Sequence, residues 1–314
     1  MKELKALLAR AGEADFVATV VETSGSVYRR PGARMLISQG RPLHGLVSGG
    51  CLESDLAERA LSGPQLITYD NASGAEELWG AGVGCNGIIS LWLEPLTPRL
   101  LNFWKTCLAA RRAGRTALMY RCSTGAFQLG QRWYDEEIPV AWQRGHYRTA
   151  DWSVWVEQLQ PPPRLVVCGA GPDAVPLVRG ALTLGWDVRL VDHRPAFLEN
   201  DQFAGAERAR HDLRVRGGES VVIMSHNLER DRAYLDLALA SPAGYIGMLG
   251  PRERTRRLLA GRADGRVHGP VGLDIGSQTP EEIALAILAE IMAVHSGRNA
   301  GSLSQRDCPE RLGS

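Results

Sequence analysis

Residues 160–164 read QPPPR, and three prolines in a row restrict what the chain can build on either side of them. Proline fixes φ, lacks the N–H that a central strand must donate, and clashes inside a helix. Neither element can run through this point, and the run acts as a stiff spacer. At 314 residues the chain exceeds one average domain. The spacer therefore separates a domain over 1–159 from one over 165–296, with 160–164 as linker. The tail 297–314, polar and containing Gly and Ser, has the composition of a disordered segment.

Beyond the spacer, RLVVCGAG, WDVRLVDHRPAF, ESVVIMSH, YIGMLG and GLDIG alternate with helical stretches. Apolar strands separated by helices predict a parallel sheet covered on both faces, a Rossmann-like domain. Ahead of it the pattern is α+β. Leu4, Leu7 and Leu8 set an amphipathic helix, FVATVVE (16–22) a strand, and ARMLIS with PLHGLVS a hairpin. ESDLAERAL reads as a helix, and QLITYD and GIISLWLEPL as strands. Residues 98–155, with a helix at PRLLNFWKTCLAARR and short strands at TALMYRC and FQLGQRW, extend this first domain.

Composition excludes several function classes. A net charge of +1 offers no basic excess to neutralise phosphates, so nucleic acid is not an expected partner. The only lysines are Lys2, Lys5 and Lys105, which rules out a GK[ST] phosphate loop and a Schiff-base lysine in the second half. The charged N-terminal helix is not a signal peptide, and no run of about 18 apolar residues spans a membrane. Six cysteines without CxxC pairing fit a reducing, cytoplasmic setting.

Gly169, Gly171 and Ala174 form G-x-G-x-x-A between the strand RLVVC and a helix, where backbone amides can approach a pyrophosphate. Asp192 ends the next strand, placed to reach ribose hydroxyls. The same turn can equally serve only to join strand and helix. Pro172 fits the first turn of that helix and removes one donor from the anion site. His226, where a strand end meets the crevice, is placed to donate to a phosphate or orient a ligand, or is an ordinary loop histidine. Gly247, Gly250 and Arg252 make a second glycine turn with a guanidinium suited to a phosphate or a pterin edge, or a turn with a surface arginine.

Cys51 follows Gly49-Gly50 at the start of a helix, and the glycine-rich WGAGVGCNG holds Cys85. Glycines permit close approach to a bulky ligand and unusual φ angles, so two such thiols invite a shared pocket. A helix N-terminus favours the thiolate, whereas Glu53 and Asp55 oppose it if they point the same way. Each thiol is a ligand, a nucleophile or a small residue in a turn. Zinc finds at best half a site in this pair.

Together TSGSVYRRPGARMLI, GLVSGGCLE, the GCNG turn, VVCGAGPDAVPL, VDHRPAF, YIGMLGPR and PVGLDIGSQTPEEIALAILAEI resemble the XdhC/CoxI proteins, accessory factors for xanthine dehydrogenase and carbon monoxide dehydrogenase. The resemblance spans roughly residues 10–295. It implies a maturation chaperone that binds molybdenum cofactor (molybdopterin or its dinucleotide form), shields its sulfurated state and inserts it into a molybdenum hydroxylase. The family's first glycine-cysteine motif falls on Gly49, Gly50, Cys51 and Glu53. Its second falls on Gly84, Cys85 and Gly87, with Asn86 in place of the usual glycine. Its nucleotide-fold loop falls on Gly169, Gly171 and Ala174, where Pro172-Asp173 resembles the CoxI-like branch. Cys51 and Cys85 are then the candidate molybdenum ligands, with Asp192, His226 and Arg252 as candidate cofactor contacts in the second half. A cysteine desulfurase and a second copy of the chain are further candidate partners. The alternative is a nicotinamide-dependent oxidoreductase that uses the second domain for NAD(P).

Overall fold

The computed structural model describes residues 2–70, 87–123, 125, 127–302 and 304. Cys85 with most of its turn, and the tail beyond 304, lie outside the described residues. The chain divides into two compact units, Met1–Pro161 and Pro162–Ser314.

The first unit runs α1 (Lys2–Arg10), β1 (Phe16–Gly25), β2 (Arg34–Ser38), β3 (Arg41–Gly45), α2 (Glu53–Arg59), β4 (Gln65–Asp70) and β5 (Gly87–Pro95). After these come α3 (Pro98–Ala109), β6 (Gly114–Cys122), β7 (Arg132–Tyr134), β8 (Gly145–Arg148) and β9 (Trp152–Leu159). One antiparallel sheet has the order β3-β2-β1-β5-β4 and a second the order β7-β6-β9-β8. β1 is mostly apolar from Phe16 to Val21, where both its faces are covered and its side chains alternate between them. Ala18 and Val20 pack with Met35, Leu56 and Leu91. Val17 joins Leu4, Leu7, Leu100 and Trp104 from α1 and α3, while Val21 joins Trp92, Leu118 and Trp155 beneath the second sheet.

Two buried arginine–glutamate pairs tie the sheets together, Arg34 of β2 with Glu157 of β9 and Arg132 of β7 with Glu94 of β5. Removing either partner would strand a buried charge. FQLGQRW is a strand only at Arg132–Tyr134. Gly130 ahead of it turns at φ +81, and a Cβ there would lie 2.7 Å from the Trp92 ring. A tight turn under an indole replaces the extended start that the sequence predicts.

The second unit runs β10 (Arg164–Cys168), α4 (Ala174–Thr183), β11 (Asp187–Val191), α5 (Pro195–Leu198), β12 (Glu207–Ala209) and β13 (Ser220–Ile223). It continues with α6 (Leu228–Leu239), β14 (Tyr245–Met248), α7 (Arg252–Leu259), β15 (Val267–His268) and α8 (Pro280–His295). All strand pairs are parallel, in the order β12-β11-β10-β13-β14-β15. Arg164, assigned to the linker from sequence, opens β10 opposite Asp187, and its guanidinium meets Glu207 at 2.7 Å. Residues of α4 and α8 cover one face of the sheet, those of α6 and α7 the other. Gly180 lets α4 approach α8, since a Cβ there would sit 2.6 Å from Leu288 Cδ1. TPEE starts α8 as a capping box, Thr279 exchanging hydrogen bonds with Glu282. Strand order reverses between β10 and β13, and the crevice outside the strand ends at such a reversal is where α/β sheets bind ligands. Among the described residues, no helix is long and apolar enough to cross a membrane.

Candidate functional site

In the first unit, the loop from β3 to α2 presents Cys51 as an exposed thiol. Glu53 holds this loop. Its carboxylate, only 7 % exposed, accepts from the Val47 and Ser48 amides on Oε1 (3.2 and 2.8 Å). On Oε2 it accepts from Ser48 Oγ and the Leu52 amide (2.5 and 3.1 Å). Burial acts to raise the Glu53 pKa, but the hydrogen bonds from Ser48 and its neighbours outweigh it and hold the pKa below the usual value. The position expected to contact cofactor thus braces the loop, because four donors occupy both its oxygens. Asp55 likewise turns to Arg59 and Tyr69.

Ser48 Oγ also accepts from the Gly50 and Leu52 amides (3.2 and 3.3 Å). These two N–H groups fill the hydroxyl's acceptor capacity. The Cys51 thiol, 3.6 Å from the same oxygen, is a surplus third donor, so the loop does not depend on its hydrogen bond. Gly50 needs its glycine for backbone reasons, at φ +106. Gly49 does not: its φ is not in the left-handed range, and a Cβ there would meet nothing within 4 Å among the described residues. That open face borders a depression of about 30 Å³ lined by Tyr28, Arg29, Ser48, Gly49, Cys51 and Gly87. Gly87 is the first described residue after Cys85, and a Cβ on it would strike Ser26 O at 2.6 Å. Tyr28 and Arg29 also wall a larger cleft of about 460 Å³, within the size range of ligand pockets. Buried Arg29 Nε has no partner among the described residues. The sequence pattern gave Tyr28 and Arg29 no role, although the arginine-rich YRRPGAR was a usable signal.

In the second unit, Gly169 lies at φ +123, with a would-be Cβ 2.5 Å from Met224 O, so only glycine fits there. Pro172 precedes the helix, and Asp173 is its N-cap. Ala170, Gly171, Pro172 and Val175 face Phe197, Asn200 and Gln202 across a crevice of about 240 Å³. Asp192 is not offered to a ribose. Its Oδ2 accepts from the Ala170 amide and Arg194 Nη2 (2.8 and 2.7 Å), and its Oδ1 from Arg194 N and Nε (both 2.9 Å). Burial opposes its ionisation, yet these hydrogen bonds, led by the Arg194 guanidinium, lower its pKa to about 2. Arg194 lies over the Phe197 ring, 3.9 Å from its centroid. The expected ribose acid is instead a clamp on the glycine loop.

His226 adopts φ +58, an uncommon conformation for a residue with a Cβ. Its Nε2 meets Asp173 Oδ2 at 2.7 Å, bridging the loops after β10 and β13 at the reversal point. Arg252 is exposed at the start of α7. The arginine held near the crevice is Arg254, on Asp231 at 2.5 Å, and Asp231 also accepts from Ser225. Cys168 is buried, and desolvation pushes its thiol far up, as expected of a core residue. Among the described residues, no group of three or more His, Cys, Asp or Glu could hold a metal ion.

A parallel sheet in this order, with a glycine loop at its reversal, defines a Rossmann-type unit, here following an α+β unit that presents a thiol on a braced loop. Residues 165–291 match the XdhC Rossmann domain, and residues 8–70 match the XdhC and CoxI family. A Bacillus subtilis (strain 168) protein, named as a probable subunit of xanthine dehydrogenase, is 33% identical over 92% of this chain and 95% of its own. The Escherichia coli (strain K12) molybdenum cofactor insertion chaperone PaoD is 24% identical over 90% of this chain and 84% of its own. A Bacillus halodurans crystal structure described as a xanthine dehydrogenase superposes with a TM-score of 0.79 at 32% identity, covering 96% of this chain and 98% of that one. The chain belongs to the XdhC and CoxI family.

Proposed function

We propose that this protein binds molybdenum cofactor and delivers it to a molybdenum hydroxylase, with Cys51 as the thiol that faces the cofactor. The observation that carries the reading is the Cys51 loop itself. An exposed soft donor stands on a backbone fixed by a buried carboxylate, beside a glycine whose Cβ position is open among the described residues. Thiolate is a fitting ligand for a soft metal centre. The depression at Cys51 holds little more than a water, but it shares Tyr28 and Arg29 with a cleft of about 460 Å³, large enough for a heterocycle.

The work of the chain's own residues follows from this geometry. Glu53 and Ser48 fix the thiol's position, Gly49 leaves room for approach, and Tyr28 offers an aromatic face at the shared wall. Bound cofactor would supply the redox centre that the client hydroxylase needs. The name of the PaoD relative supports insertion into a client. The CoxI-like pair Pro172-Asp173 leaves carbon monoxide dehydrogenase as eligible a client as xanthine dehydrogenase. Cys85, two residues before Gly87 in sequence, is the second thiol of this proposal, and sulfur supply by a cysteine desulfurase belongs to it too. A nicotinamide-dependent enzyme is the weaker reading, because Arg194 and the Ala170 amide already take the Asp192 oxygens.

The test is expression of wild type and Cys51→Ala in cells that synthesise the cofactor. Molybdenum is then measured by mass spectrometry, and pterin by the fluorescence of its oxidised form. Wild type should carry both, and Cys51→Ala should lose most of each while keeping its circular dichroism. Equal loading of the two proteins would reject Cys51 as the contact.

A further inference from the structure

The larger cleft of the first unit has a chemistry that the role of Cys51 leaves unexplained. It is lined by α1, by the β1–β2 loop with the start of β2, and by Arg144 and the end of β9. Four arginines, Arg29, Arg30, Arg34 and Arg144, stand against two glutamates, Glu3 and Glu157. Two arginines are neutralised: Arg29 pairs with Glu3 at 2.6 Å and Arg34 with Glu157. Neither Arg30 nor Arg144 has a side-chain partner among the described residues. The Nε atoms of Arg29 and Arg34 are buried and likewise unpartnered among the described residues. Unbalanced guanidinium charge around one concave space repels itself, and an anion entering the space relieves that repulsion. Guanidinium groups pair with phosphate oxygens through two parallel N–H···O bonds, so phosphate suits this lining better than a diffuse counter-ion does. Gly32 keeps the loop against the wall. It lies at φ +98, and a Cβ there would be 3.2 Å from Glu157 Oε1.

We infer that this cleft is a phosphate subsite, and that it receives the phosphorylated end of the ligand whose other end meets Cys51, with Tyr28 between them. The inference rests on the function proposed above for the Cys51 loop. It assigns the ligand class as a phosphate ester or diphosphate carrying a flat heterocycle.

The probes are inorganic pyrophosphate and inorganic phosphate, titrated calorimetrically into the full chain at low salt. The variant is Arg30→Gln combined with Arg144→Gln, two exposed side chains whose loss breaks no ion pair among the described residues. Wild type should bind pyrophosphate one to one, and the double variant at least about tenfold more weakly, the scale of losing a charge-assisted contact. Gly171→Val, which alters the glycine loop of the second unit, should leave this binding unchanged. Tighter binding of pyrophosphate than of phosphate would indicate a diphosphate-bearing ligand, and equal binding a single phosphate. Wild-type affinity in the double variant, or loss only in Gly171→Val, would overturn the subsite. The two readings fail separately. A chain that never retains molybdenum yet loses pyrophosphate with its arginines keeps the subsite and rejects only the cofactor reading. Molybdenum retention through Cys51 in a chain whose pyrophosphate binding ignores Arg30 and Arg144 does the reverse.

Discussion

Glu53→Gln is the sharpest perturbation of the thiol loop, because it preserves shape while changing what one terminal atom can accept. In wild type each carboxylate oxygen takes two donors, three of the four being backbone amides. A glutamine must turn its NH₂ toward one of these donor pairs, so two charge-assisted bonds become donor–donor contacts and the other two become neutral bonds. With hydrogen bonds to charged groups each contributing about 1.5–3 kcal/mol, and some relief from water at the loop surface, the expected loss is about 2–4 kcal/mol. Urea unfolding followed by tryptophan fluorescence reads this almost selectively. Of the 8 tryptophans only Trp186 lies beyond the first unit. The sign of the pH dependence is fixed as well. The folded pKa of Glu53 lies below its unfolded value. Its stabilisation is therefore complete above the unfolded carboxylate pKa of about 4.3 and lost as pH falls through the folded value. The stability gap between wild type and variant should accordingly close on acidification. A variant within about 0.5 kcal/mol of wild type at pH 7, the spread of ordinary surface substitutions, would refute the bracing role and return Glu53 to the candidate ligand contacts.

Asp192→Asn should destabilise the second unit and cancel a dependence that, in wild type, is present above about pH 3.9 and lost as pH falls toward about 2; calorimetric unfolding across pH 2–7 tests this. Gly169→Ala should cost about 1–3 kcal/mol or more, through its φ of +123 and the approach to Met224 O, read as a fall in the second unit's melting temperature. Gly171→Val should leave that temperature nearly unchanged while pushing Asp173 away from His226, since a Cβ at 171 falls 2.6 Å from Asp173 Oδ1. Any nucleotide binding in this crevice should then weaken in a titration, and unchanged binding would make the loop purely structural. Limited proteolysis should find Arg164 resistant to trypsin, because its side chain is held by Glu207 and Glu219; rapid cleavage there would contradict the start of β10.

Strands were readable wherever an apolar run had both faces covered, as in β1 up to Val21 and in β10, β11, β13 and β14, because burial writes itself into composition. The short edge strands β12 and β15 carry no such run, and GLDIG, expected as a strand, forms none. The glycine loop was equally plain, since Gly169 answers to a local backbone demand. What the sequence hid were pairings that local pattern does not encode. Arg34 and Glu157 lie 123 residues apart, and nothing in YRRPGAR announces which glutamate will close the wall. Asp192 is a different case. Its partner Arg194 stands two residues on in VDHRP, and the habit of giving that carboxylate to a ribose obscured the nearer guanidinium. Glu53 was legible as a first-turn carboxylate near Cys51, but not as one folded back onto its own loop.

Arg34 holds one guanidinium in two obligations. It joins β2 to β9 through Glu157, and it forms part of the basic wall facing the cleft. Any substitution that retuned the wall at Arg34 would also loosen the union of the two sheets, so ligand preference cannot drift at that position independently of folding. Arg30 and Arg144 carry no such double duty. Diversification of the cleft toward other anions would therefore run through those two positions, while Arg34 stays fixed as the hinge pin on which both architecture and recognition turn.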